Sequence, residues 1–167
     1  MHTFQPMPVE MIEFNPFTSI GNDWALLAAT KEGKTNAMTI SWGGVGVIWK
    51  KNVAFVFVRD SRYTKEFMDG SDYFSVNFFG GKEKNALKYF GAVSGRSEDK
   101  IAATGFHVNE KEGITFFDES NFVLLCKKLS ATKINPEDFI DPDIIKQYPV
   151  DDYHTMYIGE IVEFLGR

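Results

Sequence analysis

The turn Arg59-Asp60-Ser61-Arg62-Tyr63-Thr64 puts two guanidiniums and two small hydroxyls directly ahead of a segment with helical signals. Guanidiniums grip phosphate oxygens in a two-pronged way, and a helix N-terminus adds unpaired N–H groups, so such a turn suits a phosphate without a glycine loop. The same residues also describe an ordinary capped helix beside a surface ion pair. Upstream, residues 36–44 read NAMTISWGG. Strand alternation there places Met38, Ile40 and Trp42 on one face and Thr39 and Ser41 on the other. A flat heterocycle that is stacked on its face and read at its edge needs that mixture of bulk and hydroxyls. A strand with its polar side in water has the same spacing. Three further segments add polar chemistry: Asn77 within DYFSVNFFG, which could bond a ring or its polyol chain; Arg96 and Lys100 in SGRSEDK; and His154 opening the last apolar segment. Arg96 and Lys100 stand about one helical turn apart and can add positive charge for a phosphate-bearing ligand, with a solvated loop as the plain alternative. An imidazole at a strand end can donate to a ligand, and is otherwise a surface histidine.

Other motifs are absent. Gly43, Gly44 and Gly46 lack the spacing of a dinucleotide fingerprint, and Gly80-Gly81-Lys82 is followed by Glu83 where a phosphate loop carries Ser or Thr. His2, His107 and His154 are widely separated with no HExxH or CxxC companion, which argues against a metal centre. No GxSxG elbow occurs, and Cys126 sits among apolar neighbours as a buried strand residue does. As the one cysteine, it excludes an intramolecular disulfide and fits a reducing cytoplasm.

The elements that must position these residues read mostly as strands: 24–30, 36–42, 53–59, 73–79, Ile114–Phe117, 122–129 and 156–164 are short, aromatic or β-branched, and punctuated by Gly, Asn and Asp. Residues 31–35 and 110–113 have hairpin length, which implies antiparallel pairing. Helical signals are fewer. Thr64–Gly70 opens on a possible N-cap Thr and closes on Gly; 82–90 places Ala86, Leu87 and Phe90 on one face; 98–104 ends at Gly105; and 136–148 holds one or two turns within a long excursion. At 167 residues with 44% apolar and 15% aromatic composition, the chain suits one domain spanning 1–167, with 1–22 as an N-terminal extension. A net charge of −5 without a basic run argues against nucleic acid as a partner. No apolar run approaches the roughly 20 residues of a membrane span, and the start of the chain lacks the pattern of a secretion signal. The expected fold class is mainly β, an antiparallel barrel with short helical insertions.

Taken in order, WALLAAT, TNAMTISWGG, RYT, DYFSVNFF, SGRxxDK and DYHxMYIGEI resemble the flavin reductase-like, FMN-binding split-barrel family, in particular its flavoredoxin-like branch. The resemblance runs from about Asp23 to Leu165 and implies a six-stranded Greek-key split barrel, usually a homodimer with FMN near the subunit interface. It assigns Asn36, Met38, Thr39, Ser41 and Trp42 to the flavin ring and ribityl region, and Arg59, Ser61, Arg62, Tyr63 and Thr64 to the phosphate turn. Asn77 and Phe79 fall further along the cleft, and Ser94, Gly95, Arg96 and Lys100 on a second polar loop. His154 takes the place of a histidine linked with nicotinamide or flavin contact. The implied activity is hydride transfer from NADH or NADPH to FMN, with an FMN electron carrier serving a redox protein partner as the alternative. The Trp42-Gly43-Gly44 run and the excursion 134–153 depart from the shorter reductases of the family.

Overall fold

In the computed structural model, residues 3–167 are described; the histidine at position 2 and the first two residues of the N-terminal extension lie outside them. The strands are β1 (Gln5–Met7), β2 (Ala25–Lys31), β3 (Lys34–Ile40), β4 (Gly43–Ile48), β5 (Lys51–Arg59), β6 (Tyr73–Phe78), β7 (Val108–Lys111), β8 (Ile114–Phe117), β9 (Phe122–Lys133) and β10 (His154–Gly166). Between them lie helices α1 (Pro16–Gly21), α2 (Thr64–Gly70), α3 (Lys84–Ala92) and α4 (Lys100–Thr104), with short 3-10 turns at Val9–Met11, Pro136–Asp138 and Pro142–Gln147.

Eight strands form one antiparallel sheet in the order β3-β2-β6-β9-β10-β5-β4, with β1 added alongside β10, while β7 and β8 pair separately. The chain is mainly β, as expected, but a six-stranded closed barrel is not what forms. Among the described residues β3 and β4 end the order without pairing to each other. The seven strands expected from the sequence are all present, as β2, β3, β5, β6, β8, β9 and β10; β1, β4 and β7 are the additions. The composition of β4, GGVGVI, reads as a glycine run, yet those glycines let it press on β5. A Cβ at Gly43, whose φ is +142°, would lie 2.5 Å from the Phe55 carbonyl oxygen. The β4–β5 hairpin closes through Trp49 and Lys50, with φ of 54° and 57°. That is the backbone of a tight two-residue turn, without the Asn-Gly chemistry that usually announces it.

Helix α1 carried a signal that the strand-directed reading passes over: Asn15 caps it by accepting from Phe17 and Thr18, and Pro16 takes the first turn. At α2 the cap differs from expectation. Tyr63 is the N-cap residue and makes no capping bond, while the Thr64 hydroxyl is buried and accepts instead from Asn36.

Strand β2 is buried on both faces, which explains its unbroken apolar run. Ala25, Leu27 and Ala29 join Met38 and Ile40 of β3 and the aromatics Phe74, Phe78 and Tyr157 in the main core. Leu26 and Ala28 face a second cluster with Leu87 and Phe90 of α3, Phe106 and Phe117. Register then sets the functional rim: β10 pairs with β5 so that its first residue, His154, lies opposite the last residue of β5, Arg59.

Candidate functional site

Two adjacent hollows open at the rim where β3 and β5 end and β10 begins. The first, a cleft of about 250 Å³, is lined by Met38, Thr39, Ile40, Ser41, Trp42, Phe57, Arg59, Arg62 and His154. The second, about 170 Å³, is lined by Ser61, Arg62, Tyr63, Thr64, Ala92, Val93, Ser94, Gly95 and Lys100. Arg62 belongs to both and joins them. Residues from the strand, the turn, the second polar loop and the last strand thus line adjacent hollows.

The second hollow is cationic. Arg62 donates to the Gly91 carbonyl at 2.8 Å and to the Phe90 carbonyl at 3.4 Å, and Lys100 donates to the same Phe90 carbonyl at 3.1 Å. Both cations therefore converge on the C-terminal end of α3, where unpaired carbonyls gather partial negative charge. That end supplies roughly half an elementary charge, against two whole ones. Neither cation forms an ion pair among the described residues. The cost appears in their protonation: burial, then the neighbouring Arg62, pulls Lys100 down to about 8, and burial lowers Arg62 against the pull of Asp152. Positive charge held at least half out of water beside small hydroxyls is an arrangement suited to an anion.

Arg59 behaves differently. Its guanidinium donates to the Asp152 carbonyl at 2.9 Å and the Gln147 carbonyl at 3.1 Å, and it lies 4.9 Å from the Tyr148 ring and 5.9 Å from the Trp42 ring. Ser61 is also engaged, its N–H donating to Asp152 Oδ1 at 3.1 Å and its hydroxyl to Asp152 Oδ2. The excursion between β9 and β10 has thus taken up two of the five residues expected in the phosphate turn, Arg59 and Ser61.

His154 is buried at the cleft wall, 4.8 Å from the Trp42 ring, with Nδ1 2.7 Å from the Tyr148 hydroxyl. Burial, and after it the Arg59 charge, pushes its pKa down to about 4 despite Asp152, so the ring is neutral at pH 7. The cleft's remaining surface is aromatic and hydroxylic, although the Thr39 hydroxyl is already spent on the Leu87 carbonyl of α3.

The other expected residues fall into three groups. Asn36 and Gly95 build the wall: Asn36 donates to Thr64 at 2.8 Å, and a Cβ on Gly95 would lie 2.3 Å from the Asn36 amide oxygen. Arg96 ties the loops together, pairing with Glu66 at 2.6 Å, donating to the Ser61 carbonyl at 3.3 Å and lying over the Tyr63 ring. Asn77 and Phe79 do not belong to the site. Asn77 is fully buried, donates to Leu26 O and Ser75 Oγ, and accepts from Phe117 N at 3.0 Å, pinning β8 to the sheet. Phe79 packs in the cluster beneath α3. Conversely, Phe57, Tyr148 and Asp152 line or shape the site without having been singled out. For Phe57 the signal was available, because it sits two residues before Arg59 on the same strand face.

The chain matches the model of the flavin reductase like domain over residues 17–167. Among solved structures, flavoredoxin from Methanosarcina acetivorans is 26% identical, with a TM-score of 0.66 over 86% of this chain and 68% of that one. An FMN-binding domain of a flavin reductases-like enzyme from Shewanella baltica OS155 is 17% identical, with a TM-score of 0.71 over 98% of this chain and 77% of that one. Flavoredoxin of Desulfovibrio vulgaris (Miyazaki F) is 20% identical, with a TM-score of 0.66 over 84% of this chain and 67% of that one. No curated protein matches.

Proposed function

The chain belongs to the flavin reductase like family, and from that premise we propose that it is an FMN-binding oxidoreductase, specifically an NAD(P)H-dependent flavin reductase. The observation that carries this reading is the pair of cations, half-buried Arg62 and buried Lys100, without an ion-pair partner among the described residues, at one end of a cleft whose other end is aromatic and hydroxylic. A planar ring bearing a phosphate has that polarity. FMN supplies two-electron redox chemistry when bound, and the protein supplies position and electrostatics.

The chain's own residues divide that task. Arg62 and Lys100, with the Ser94–Gly95 backbone between them, are the groups that would hold the phosphate. Trp42, Phe57 and Met38 provide apolar contact for a ring, and Ser41 remains an exposed hydroxyl at its edge. His154, neutral across the physiological range, serves as a hydrogen-bonding group and not as a charge. Thr39 is committed to α3 and contributes by fixing the strand against that helix.

A second reading, an FMN electron carrier with a redox protein partner, is favoured by the 26% identity to a flavoredoxin. Visible spectra separate the two. Protein reconstituted with FMN is expected to lose its flavin colour on adding NADH or NADPH without oxygen, and to oxidise the nucleotide continuously when free FMN is in excess. Retained colour with either nucleotide removes the reductase reading and leaves the carrier; no flavin binding at all removes both. We further read the protein as a cytoplasmic homodimer. No described helix is long and apolar enough to cross a membrane. Val47, Ile48 and Trp49 stand exposed at the β4–β5 tip, an apolar patch of the kind subunit contacts cover. Light scattering on the purified protein tests this, and a monomeric mass would refute it.

A further inference from the structure

Tyr148 reaches the site from the excursion between β9 and β10, outside every motif considered above. Its ring is buried, stacks on Phe139 with centroids 6.0 Å apart, and carries the Arg59 guanidinium over one face. Its hydroxyl lies 2.7 Å from His154 Nδ1, and the phenol has no other hydrogen-bond partner among the described residues. We propose that Tyr148 is a positioning residue that holds His154 in the tautomer with its proton on Nε2, so that the cleft wall presents a hydrogen-bond donor.

The tautomer follows from how many bonds each group can satisfy. Neutral imidazole has one N–H and one bare nitrogen, and a phenol must find an acceptor for its proton when buried. With the proton on Nδ1, the imidazole would donate to the phenol oxygen and leave the phenolic hydrogen without an acceptor among the described residues. With the proton on Nε2, the phenol donates to Nδ1 and both groups are satisfied. The doubly protonated ring is disfavoured by its surroundings: Arg59 of β5 faces it, Arg62 lines the same cleft, and Asp152 of the excursion, already bonded to Ser61, is the one nearby anion acting on it. A donor at this wall selects an acceptor on the ligand, such as a carbonyl oxygen or a bare ring nitrogen. That consequence rests on the cleft holding the proposed ring; the tautomer itself does not.

Long-range ¹H–¹⁵N correlation spectra of the ligand-free, histidine-labelled protein at pH 7 test this, with the His154 signals identified by their loss in His154→Gln. The expected result is a single Nε2–H tautomer in the wild type and a mixture of both tautomers in Tyr148→Phe, which keeps the ring and removes the hydroxyl. An Nδ1–H form in the wild type overturns the proposal, whether or not the variant folds. So does an unchanged tautomer in a folded Tyr148→Phe. An FMN titration of the same sample keeps the questions apart: failure to bind FMN with the Nε2–H form intact defeats the functional reading and spares this one.

Discussion

Arg59 and Arg62 lie in one turn, three positions apart, and the fold gives them different partners. Arg59 ends β5 and is taken up by the excursion, its N–H groups on the carbonyls of Gln147 and Asp152 and its plane against Tyr148. Arg62 points the other way, to the C-terminal end of α3, where it shares a carbonyl with Lys100 and has no carboxylate within ion-pair distance among the described residues. Each guanidinium donates to two backbone carbonyls and neither forms an ion pair among the described residues, so what separates them is the neighbour: Arg59 braces the excursion, while Arg62 stands beside a second cation, Lys100, with which it shares a carbonyl. Equal residues in an equal motif thus differ in function because of what packs beside them, which a motif does not record.

The largest expected effect tests that contrast directly. Replacing Arg62 with Ala should weaken FMN binding by about 1.5–3 kcal/mol, the range for a hydrogen bond to a charged group, or about ten- to hundredfold in Kd. Arg59→Ala should cost far less FMN affinity and instead speed hydrogen exchange across 134–153, because the excursion loses two bonds and a cation–π contact. Fluorescence-quenching titrations of both variants read this out. Equal losses of affinity would mean that the two arginines share one task after all.

Asn77 extends the comparison to a residue that resembles a ligand contact in sequence and is a staple in structure. Asn77→Ala is expected to leave FMN affinity unchanged and to lower stability by about 1–3 kcal/mol, since Phe117 N and Leu26 O lose a buried partner. Urea unfolding measures it, and a normal stability with lost flavin binding would return Asn77 to the site.

These cases mark what could be read from the chain. The seven expected strands were legible because each carries an apolar run bounded by turn residues, and α2 emerges as Thr64–Gly70 with the expected ends. Meeting of the 36–42 strand, the 59–64 turn, Arg96–Lys100 and His154 at one rim was legible only through their order in a family pattern; local spacing left each of them open. What stayed hidden depends on tertiary contacts. Strand β4 looks like a glycine run until Phe55 is laid over it, and its hairpin turns on Trp49 and Lys50, residues that carry no turn signal. Asn77 alternates like a polar face turned to a ligand, and nothing local says that β8 arrives to use it. Tyr148 and Asp152 sit in an irregular excursion, where no periodicity predicts which side chain turns inward.

Lys100 provides the smallest and most specific test, because it asks whether the second cation counts as a charge. In the free protein its pKa lies at about 8, with burial the main cause and Arg62 the second. A bound phosphate would favour the protonated form, and the phosphate's own second ionisation, centred near pH 6, is essentially complete by about pH 8. FMN affinity should therefore fall as pH rises through about 8, by roughly fivefold, as for about 1 kcal/mol of partly screened ion pairing. Lys100→Met should remove that pH dependence. The stability of the free protein runs the opposite way. A lysine whose folded pKa is lowered penalises the native state fully below about 8, and the penalty fades as pH climbs toward its ordinary 10.5. The thermal midpoint of the wild type should then approach that of Lys100→Met between those values. An affinity independent of pH, with the two midpoints running parallel, would show that Lys100 braces α3 as a neutral donor and that Arg62 alone makes the anion site.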